Sequence, residues 1–306
     1  MTRFVMQRVR HGVLSIVGIV ILVFVLSRLT GSPARLYLPE DATNDMVARF
    51  NAQHGFDQPV IVQLLSFIKG TLQLDFGDSL LYGEPALNVV LSRYPATLQL
   101  AFASMLIALA LGILIGALAA ARKESIADKI CRLTSLAALS VPDFWIGIMG
   151  IALFAVYLGV LPTSGAGGPE YWVLPLVTLA LRPTGIMAQI VRTSMVNALE
   201  ADYVRVAKGK GVSEREIVFK HALRNAAIPI ITVAGVLMAG VVNGALVVET
   251  VFGWPGIGNL MVTAIEGRDF AVIQAVVLVT GTAIIILNFA IDLAYSWLNP
   301  QIRVSG

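Results

Sequence analysis

Six runs of roughly 20 mostly apolar residues govern what this 306-residue chain can become. They fall at 13–29, 96–120, 133–158, 172–190, 229–251 and 272–298. An α-helix rises about 1.5 Å per residue, so each run is long enough to cross roughly 30 Å of hydrocarbon, given some extension at its ends. The runs are continuous rather than alternating, which excludes the strands of an outer-membrane barrel. With 57% hydrophobic and 13% charged residues, the chain carries more apolar surface than a soluble fold of this size can bury. A soluble enzyme, a disordered chain and a nucleic-acid module built on massed positive charge are excluded on that ground. The single cysteine, Cys131, excludes a disulfide framework. The fold class predicted is all-α: a polytopic membrane protein with six transmembrane helices.

Lysine and arginine set the orientation. With the amino terminus inside, segments 1–12, 121–132, 191–228 and 299–306 hold 15 of the 22 basic residues, whereas the outer segments 30–95, 159–171 and 252–270 hold five. Both termini are therefore predicted to be cytoplasmic. Arg3, Arg8 and Arg10 ahead of the first run look like the start of a secretory signal, but Thr30-Gly-Ser-Pro-Ala-Arg35 offers a poor cleavage site, so the run reads as an uncleaved anchor. The expected organisation is a cytoplasmic N-terminus (1–12), a first span (13–29), an extracytoplasmic segment (30–95) and a five-helix core (96–306) with a cytoplasmic loop at 191–228. Segment 30–95 has seven acids against four bases and turns at Asp57-Gln-Pro59 and Gly83-Glu-Pro85. It reads as a small helical cap on the outer membrane face.

Several chemistries are missing. There is no G-x-x-x-x-G-K-[ST] loop to cradle ATP phosphates, and neither H-E-x-x-H nor G-x-S-x-G occurs. His11, His54 and His221 lie far apart and give no metal-ligand spacing. Asp75-Phe76-Gly77 matches a kinase motif by coincidence, since no kinase lysine strand or catalytic loop accompanies it. No catalytic residue, metal or cofactor is therefore assigned to this chain. Charges within the spans are scarce: Arg28, Asp143, Arg182, Glu249 and Asp292, all but Arg182 near a span end. That sparseness argues against an ion-coupled carrier, which usually needs a denser set of intramembrane acids. Arg182, Gln189, Asn243, Glu249 and Asn288 are the candidate pathway-lining residues, with a purely structural ion pair as the other reading of Arg182. Pro175 and Pro183 predict a kink in the fourth span. Gly112/Gly116 and Gly240/Gly244 permit close helix approach and read as packing.

The loop 191–228 carries the strongest signal. It holds seven basic residues against four acids. Val196, Leu199, Tyr203 and Val206 keep a 3-4-3 helical stripe, so the fourth helix is expected to project beyond the membrane. Gly209 and Gly211 then end it, and Ser213-Glu-Arg-Glu216 fits the S-x-x-E box that opens a new helix. The chain returns to the membrane at Ile228-Pro229. An ordinary hairpin that binds anionic lipid is the competing reading of the same pattern.

Ala207-Lys-Gly-Lys-Gly211-Val-Ser-Glu-Arg-Glu216, followed by His221-Ala-Leu-Arg-Asn-Ala226 and Pro229, resembles the cytoplasmic coupling loop of permease subunits of bacterial ATP-binding-cassette importers, in the peptide and nickel subgroup. The likeness covers nearly the whole chain. It includes Gly55-Phe-Asp-Gln-Pro59, Asp75-Phe-Gly77 with Ser79, Pro95-Ala-Thr-Leu98, Leu161-Pro-Thr-Ser-Gly165, Val248-Glu-Thr-Val-Phe252 with Trp254-Pro-Gly-Ile-Gly258, and Val272-Ile-Gln274. Asn299-Pro300 and Ile302-Arg303 complete it. The general importer signature, E-A-A, three residues, G, nine residues, I-x-L-P, is only partly met. With its glycine on Gly211, Arg205-Val-Ala207 stands at E-A-A and His221-Ala-Leu-Arg224 at I-x-L-P, so no role of the signature glutamate carries over.

The resemblance implies a type I importer permease fold in the bacterial inner membrane. It also implies four kinds of partner or setting: a second homologous permease, two ATP-binding subunits that hold ATP and magnesium, an extracytoplasmic substrate-binding protein, and membrane lipid. Nucleic acid is not among them. It assigns the ATPase contact to Ala207, Gly211, Ser213, Glu214, Arg215, Glu216 and His221, with Arg224 and Asn225 bracing the loop. Trp254, Pro255 and Gly256 are the candidate contact for the binding protein, against a turn that only packs. The cargo implied is a di- or oligopeptide. Nickel, a metallophore or a glutathione-type peptide are the alternatives, and an ion-coupled secondary transporter is the rival class.

Overall fold

The computed structural model describes residues 2–29, 38, 42–213 and 216–298. Among these the chain is helical, with no strand beyond an isolated bridge between Asp78 and Pro85. It divides into two compact units, Met1–Tyr94 with Leu260–Phe289 and Pro95–Asn259 with Ala290–Gly306.

The first unit is built on α1 (Thr2–Leu29), whose apolar window runs over Met6–Leu26. α2 (Asn44–His54) is capped by Thr43, whose hydroxyl accepts from the Met46 amide, and it ends on Gly55 in the left-handed conformation (φ 70°). α3 (Val60–Leu72) follows Pro59, and Gln63 donates back to the Phe56 and Gln58 carbonyls at 3.0 and 2.7 Å, fixing the corner between the two helices. Phe67 of α3 packs on Phe24 of α1 with ring centroids 5.8 Å apart. A carboxylate organises the other end of this unit. Asp269 is fully buried and accepts from the Ser79 hydroxyl at 2.5 Å, the Leu81 amide at 3.1 Å and the Val272 amide at 3.2 Å.

The second unit takes in most of α4 (Ala86–Ala121), a 36-residue helix that starts ten residues before the expected 96. It then holds α5 (Ile126–Ser140), α6 (Asp143–Gly150) with a π-helical continuation over Ile151–Tyr157, α7 (Glu170–Glu200) and α8 (Asp202–Gly209). A second π-helical turn, Ile217–Ala222, leads into α9 (Leu223–Phe252). α10 (Ile257–Glu266) and α11 (Phe270–Leu298) follow, and most of each belongs to the first unit. α7 packs between α5 and α9. Gly112 and Gly116 let α4 lie directly on α7. A β-carbon at Gly116 would reach the Ala188 carbonyl at 2.5 Å, and one at Gly112 would meet Met187 at the same distance. The packing role expected of that pair is met. Gly240 has nothing within 4 Å of such a carbon, so the second glycine pair plays no equal part in the chain itself.

The third expected span is corrected. Instead of one helix over 133–158, α5 and α6 meet at a 98° bend. Pro142 is the cause: it lacks an N–H and pushes the preceding residue out of the helical region, and Val141 is extended (ψ 129°). Among the described residues, five helices are long and apolar enough to cross a membrane, or six if the bent pair is one broken span.

Candidate functional site

The loop that follows α7 is assembled by caps and by a hydrophobic root. α7 does not run on as the stripe predicted. It stops at Glu200, and Ala201 is extended (ψ 151°) before α8 restarts at Asp202. The register therefore shifts: Val204 is 1% exposed and packs inward, whereas Tyr203 and Val206 point out. α8 ends at Gly209, and Gly211 takes the left-handed conformation at φ 75°. Nothing lies within 4 Å of a β-carbon there, so the glycine is required by backbone conformation and not by space. Ser213 opens the next turn as expected: its hydroxyl accepts from the Glu216 amide at 3.3 Å, and its carbonyl accepts from the Ile217 amide at 3.0 Å. Lys220 pairs with Glu216 one turn on, at 2.6 Å. Glu214 and Arg215, and the side chains of Ala207 and His221, lie outside the described residues.

The returning turn is rooted in the bundle. Ile217, Val218 and Ala222 are buried, and Val218 and Ala222 join Ala117, Ala120, Met187, Val191, Met195, Ala226 and Ile230 in one core cluster. The root of the loop thus shares one core with α4, α7 and α9. Arg224 and Asn225, expected to brace the loop, are instead exposed and make no hydrogen bond among the described residues.

The bracing comes from residues that stand in the sequence only as loop charges. Arg192 of α7 donates through two nitrogens to Asp128 of α5, the second at 2.8 Å, and Asp128 is 0% exposed. Asp128 also accepts the Glu124 amide at 3.1 Å, and its own amide donates to Ser125. Ser125-x-x-Asp128 is itself a helix-opening box, the one sequence signal that marks this site. Lys123 bonds Glu200 at 2.5 Å, and that hydrogen bond raises the ammonium pKa above its ordinary value. The pair is exposed, so it adds little stability. Lys123, Glu200, Val196, Leu199, Ile217 and Val218 line an open cavity of about 220 Å³ beside the loop root.

At the far end of α9, the turn 253–258 is locked inward. Gly253 is left-handed (φ 58°), and Trp254 is 2% exposed, edge-on to Trp172 at 4.6 Å. The Trp254 indole donates to the Ala96 carbonyl at 3.1 Å, and the Ile257 amide to the Thr97 hydroxyl at 2.9 Å. Glu249 is 0% exposed and accepts the Gly258 amide at 2.6 Å, so it caps α10. Two expectations are corrected here. Glu249 is enclosed and does not line a pathway, and Trp254 and Gly256 are buried, leaving only Pro255 partly open to a partner.

The remaining polar residues of the spans stand differently. Gln189, Asn243 and Asn288 are exposed on their helices. Arg182 pairs with Asp143 at 3.4 Å, with side chains 43% and 23% exposed.

The chain matches two family models. Residues 112–304 match the binding-protein-dependent transport system inner membrane component, and residues 1–101 match the N-terminal domain of the same membrane components. It is 38% identical over 304 residues to the glutathione transport system permease protein GsiC of Salmonella typhi, covering 99% of each chain. The protein of the same name from Escherichia coli K12 is 38% identical over 290 residues, covering 95% of this chain and 94% of that one.

Proposed function

Because this chain belongs to the inner-membrane components of binding-protein-dependent transport systems, the permease subunits of ATP-binding-cassette importers, we propose that it forms half of a translocation pathway for short peptides. The family implies ATPase and substrate-binding partners, so the energy source lies on another subunit and the ion-coupled carrier drops out. In our reading the other half of the pathway is a second homologous permease, and two ATP-binding subunits dock on the loop 191–228. Both termini then lie on the cytoplasmic side, and the chain itself catalyses nothing.

One observation carries the proposal: a loop whose capped turn at Ser213 is rooted through Val218 and Ala222 in the core of α4, α7 and α9. A lipid-binding hairpin has no need of that root, whereas a lever does. ATPase closure would push on the turn after Gly211, and the rooted helices would follow as a bistable element. Gln189, Asn243, Asn288 and Arg182 are the residues we propose to face the pathway, since exposed polar groups on spanning helices are costly against lipid.

The relatives named for glutathione support a peptide cargo, because glutathione is itself a tripeptide. We take glutathione-type and dipeptide substrates as the first to test, ahead of nickel or a metallophore. The test is uptake into proteoliposomes holding the complete transporter. Uptake of glutathione or dialanine that requires ATP and the binding protein supports the proposal. Uptake driven by an ion gradient without ATP overturns it.

A further inference from the structure

Two arginines of α7 are held by carboxylates in opposite ways. Arg192 closes on Asp128 with two nitrogens around a fully enclosed acid. Arg182, about 15 Å further along the same axis, faces Asp143 with its Nε 3.4 Å from Oδ1. That Nε and the Asp143 Oδ1 are shut off from solvent, yet neither makes a hydrogen bond. One pair is closed, and the other is left open.

Position makes the open pair informative. Arg182 stands near the middle of the apolar run 172–190, about 15 Å along α7 from the Trp172 that opens it. A partly open charge at that depth cannot face lipid tails. Asp143 stands at the Pro142 break between α5 and α6, and broken helices in carriers place polar groups on a water-filled route. α9 leaves room beside it: a β-carbon at Gly244 would sit 3.7 Å from Asp143 Oδ2, and the neighbouring Asn243 is exposed. α7 and the α5–α6 break therefore bring two opposite charges together, beside Gly244 of α9.

We propose that Arg182 and Asp143 form a substrate-contacting charge pair that opens to a zwitterionic short peptide, Arg182 taking its carboxylate and Asp143 its ammonium. This rests on the peptide reading above and names the groups that would recognise the peptide in transit. The exchange suits a low-dielectric route. Each charge stays paired before, during and after passage, so no uncompensated charge is left in the membrane. A guanidinium whose Nε now lacks a hydrogen bond gains a two-pronged one when a carboxylate arrives.

The experiment uses the complete transporter in proteoliposomes, with glutathione and dialanine as probes, each as free acid and as C-terminal amide. One binding protein serves every variant, so its own preference cancels in the comparison. Arg182→Gln is expected to lower the acid-to-amide uptake ratio about tenfold, and Arg182→Lys to recover part of it. Asp143→Asn is expected to lower uptake of the free peptides relative to their N-acetyl forms. Co-purification with the second permease monitors assembly. If Arg182→Gln fails to assemble, the ratio for Arg182→Lys decides. Equal loss of acid and amide, or recovery of wild-type uptake by the double variant Arg182→Gln/Asp143→Asn, makes the pair structural and overturns the proposal. Absence of peptide uptake by the wild type overturns the peptide reading itself, a result distinct from either.

Discussion

Arg192 and Asp128, 64 positions apart in the chain, meet as a forked ion pair that ties α7 to α5 beside the root of the 191–228 loop. The acid is completely enclosed and also accepts a backbone amide from Glu124. Removing one partner of such a pair leaves the other charged and buried, at a cost of about 3–5 kcal/mol. Asp128→Ala and Arg192→Ala are each predicted to lower the thermal unfolding midpoint of the detergent-solubilised chain. A double replacement by apolar residues of similar volume should recover most of the loss.

The glycines of α4 and α9 should separate cleanly. Gly116→Ala puts a carbon against the Ala188 carbonyl, so overpacking of about 1–3 kcal/mol or more is expected. Gly240→Ala meets nothing within 4 Å and gains helix propensity, about 1 kcal/mol in the opposite direction. Unfolding midpoints of the two variants of the isolated chain check the pair of predictions.

How much of this was legible in the sequence depends on the range of the interaction. The apolar runs and the Gly211–Ser213 corner are local signals; five of the six runs fall within single helices, and the corner forms at Gly211 and Ser213. The Pro142 break was hidden by an apolar run that continues through it, because hydropathy does not register a missing N–H. The restart at Ala201 carries no glycine or proline, so a helical stripe read straight across it. The Asp128–Arg192 pair and the burial of Trp254 are set by tertiary contacts over 64 and 158 positions, which no window in the chain contains.

In the first unit, Asp269 holds the Ser79 hydroxyl and the Leu81 amide while capping the start of α11. Asp269→Ala leaves these buried donors without an acceptor, at about 1–3 kcal/mol. Limited proteolysis should then cut faster between residues 75 and 86, and Asp269→Asn should fall between the two.

Glu249 is predicted to act through the turn it caps. Glu249→Ala removes the acceptor of the Gly258 amide and should free Trp254 from its enclosed site, which a red shift of tryptophan fluorescence would report. Glu249→Gln keeps a side-chain acceptor and should shift the emission less.

In the proposed transporter the rooted turn after Gly211 transmits ATPase closure to the spans. Gly211→Val forces a β-branched residue into a left-handed conformation at a cost of about 1–2 kcal/mol or more, with no neighbour to clash. The measurement is substrate-stimulated ATP hydrolysis by the reconstituted transporter, with co-purification of all subunits as the control. Loss of about tenfold in stimulation while the subunits still co-purify is the predicted result. Wild-type stimulation in Gly211→Val would contradict it.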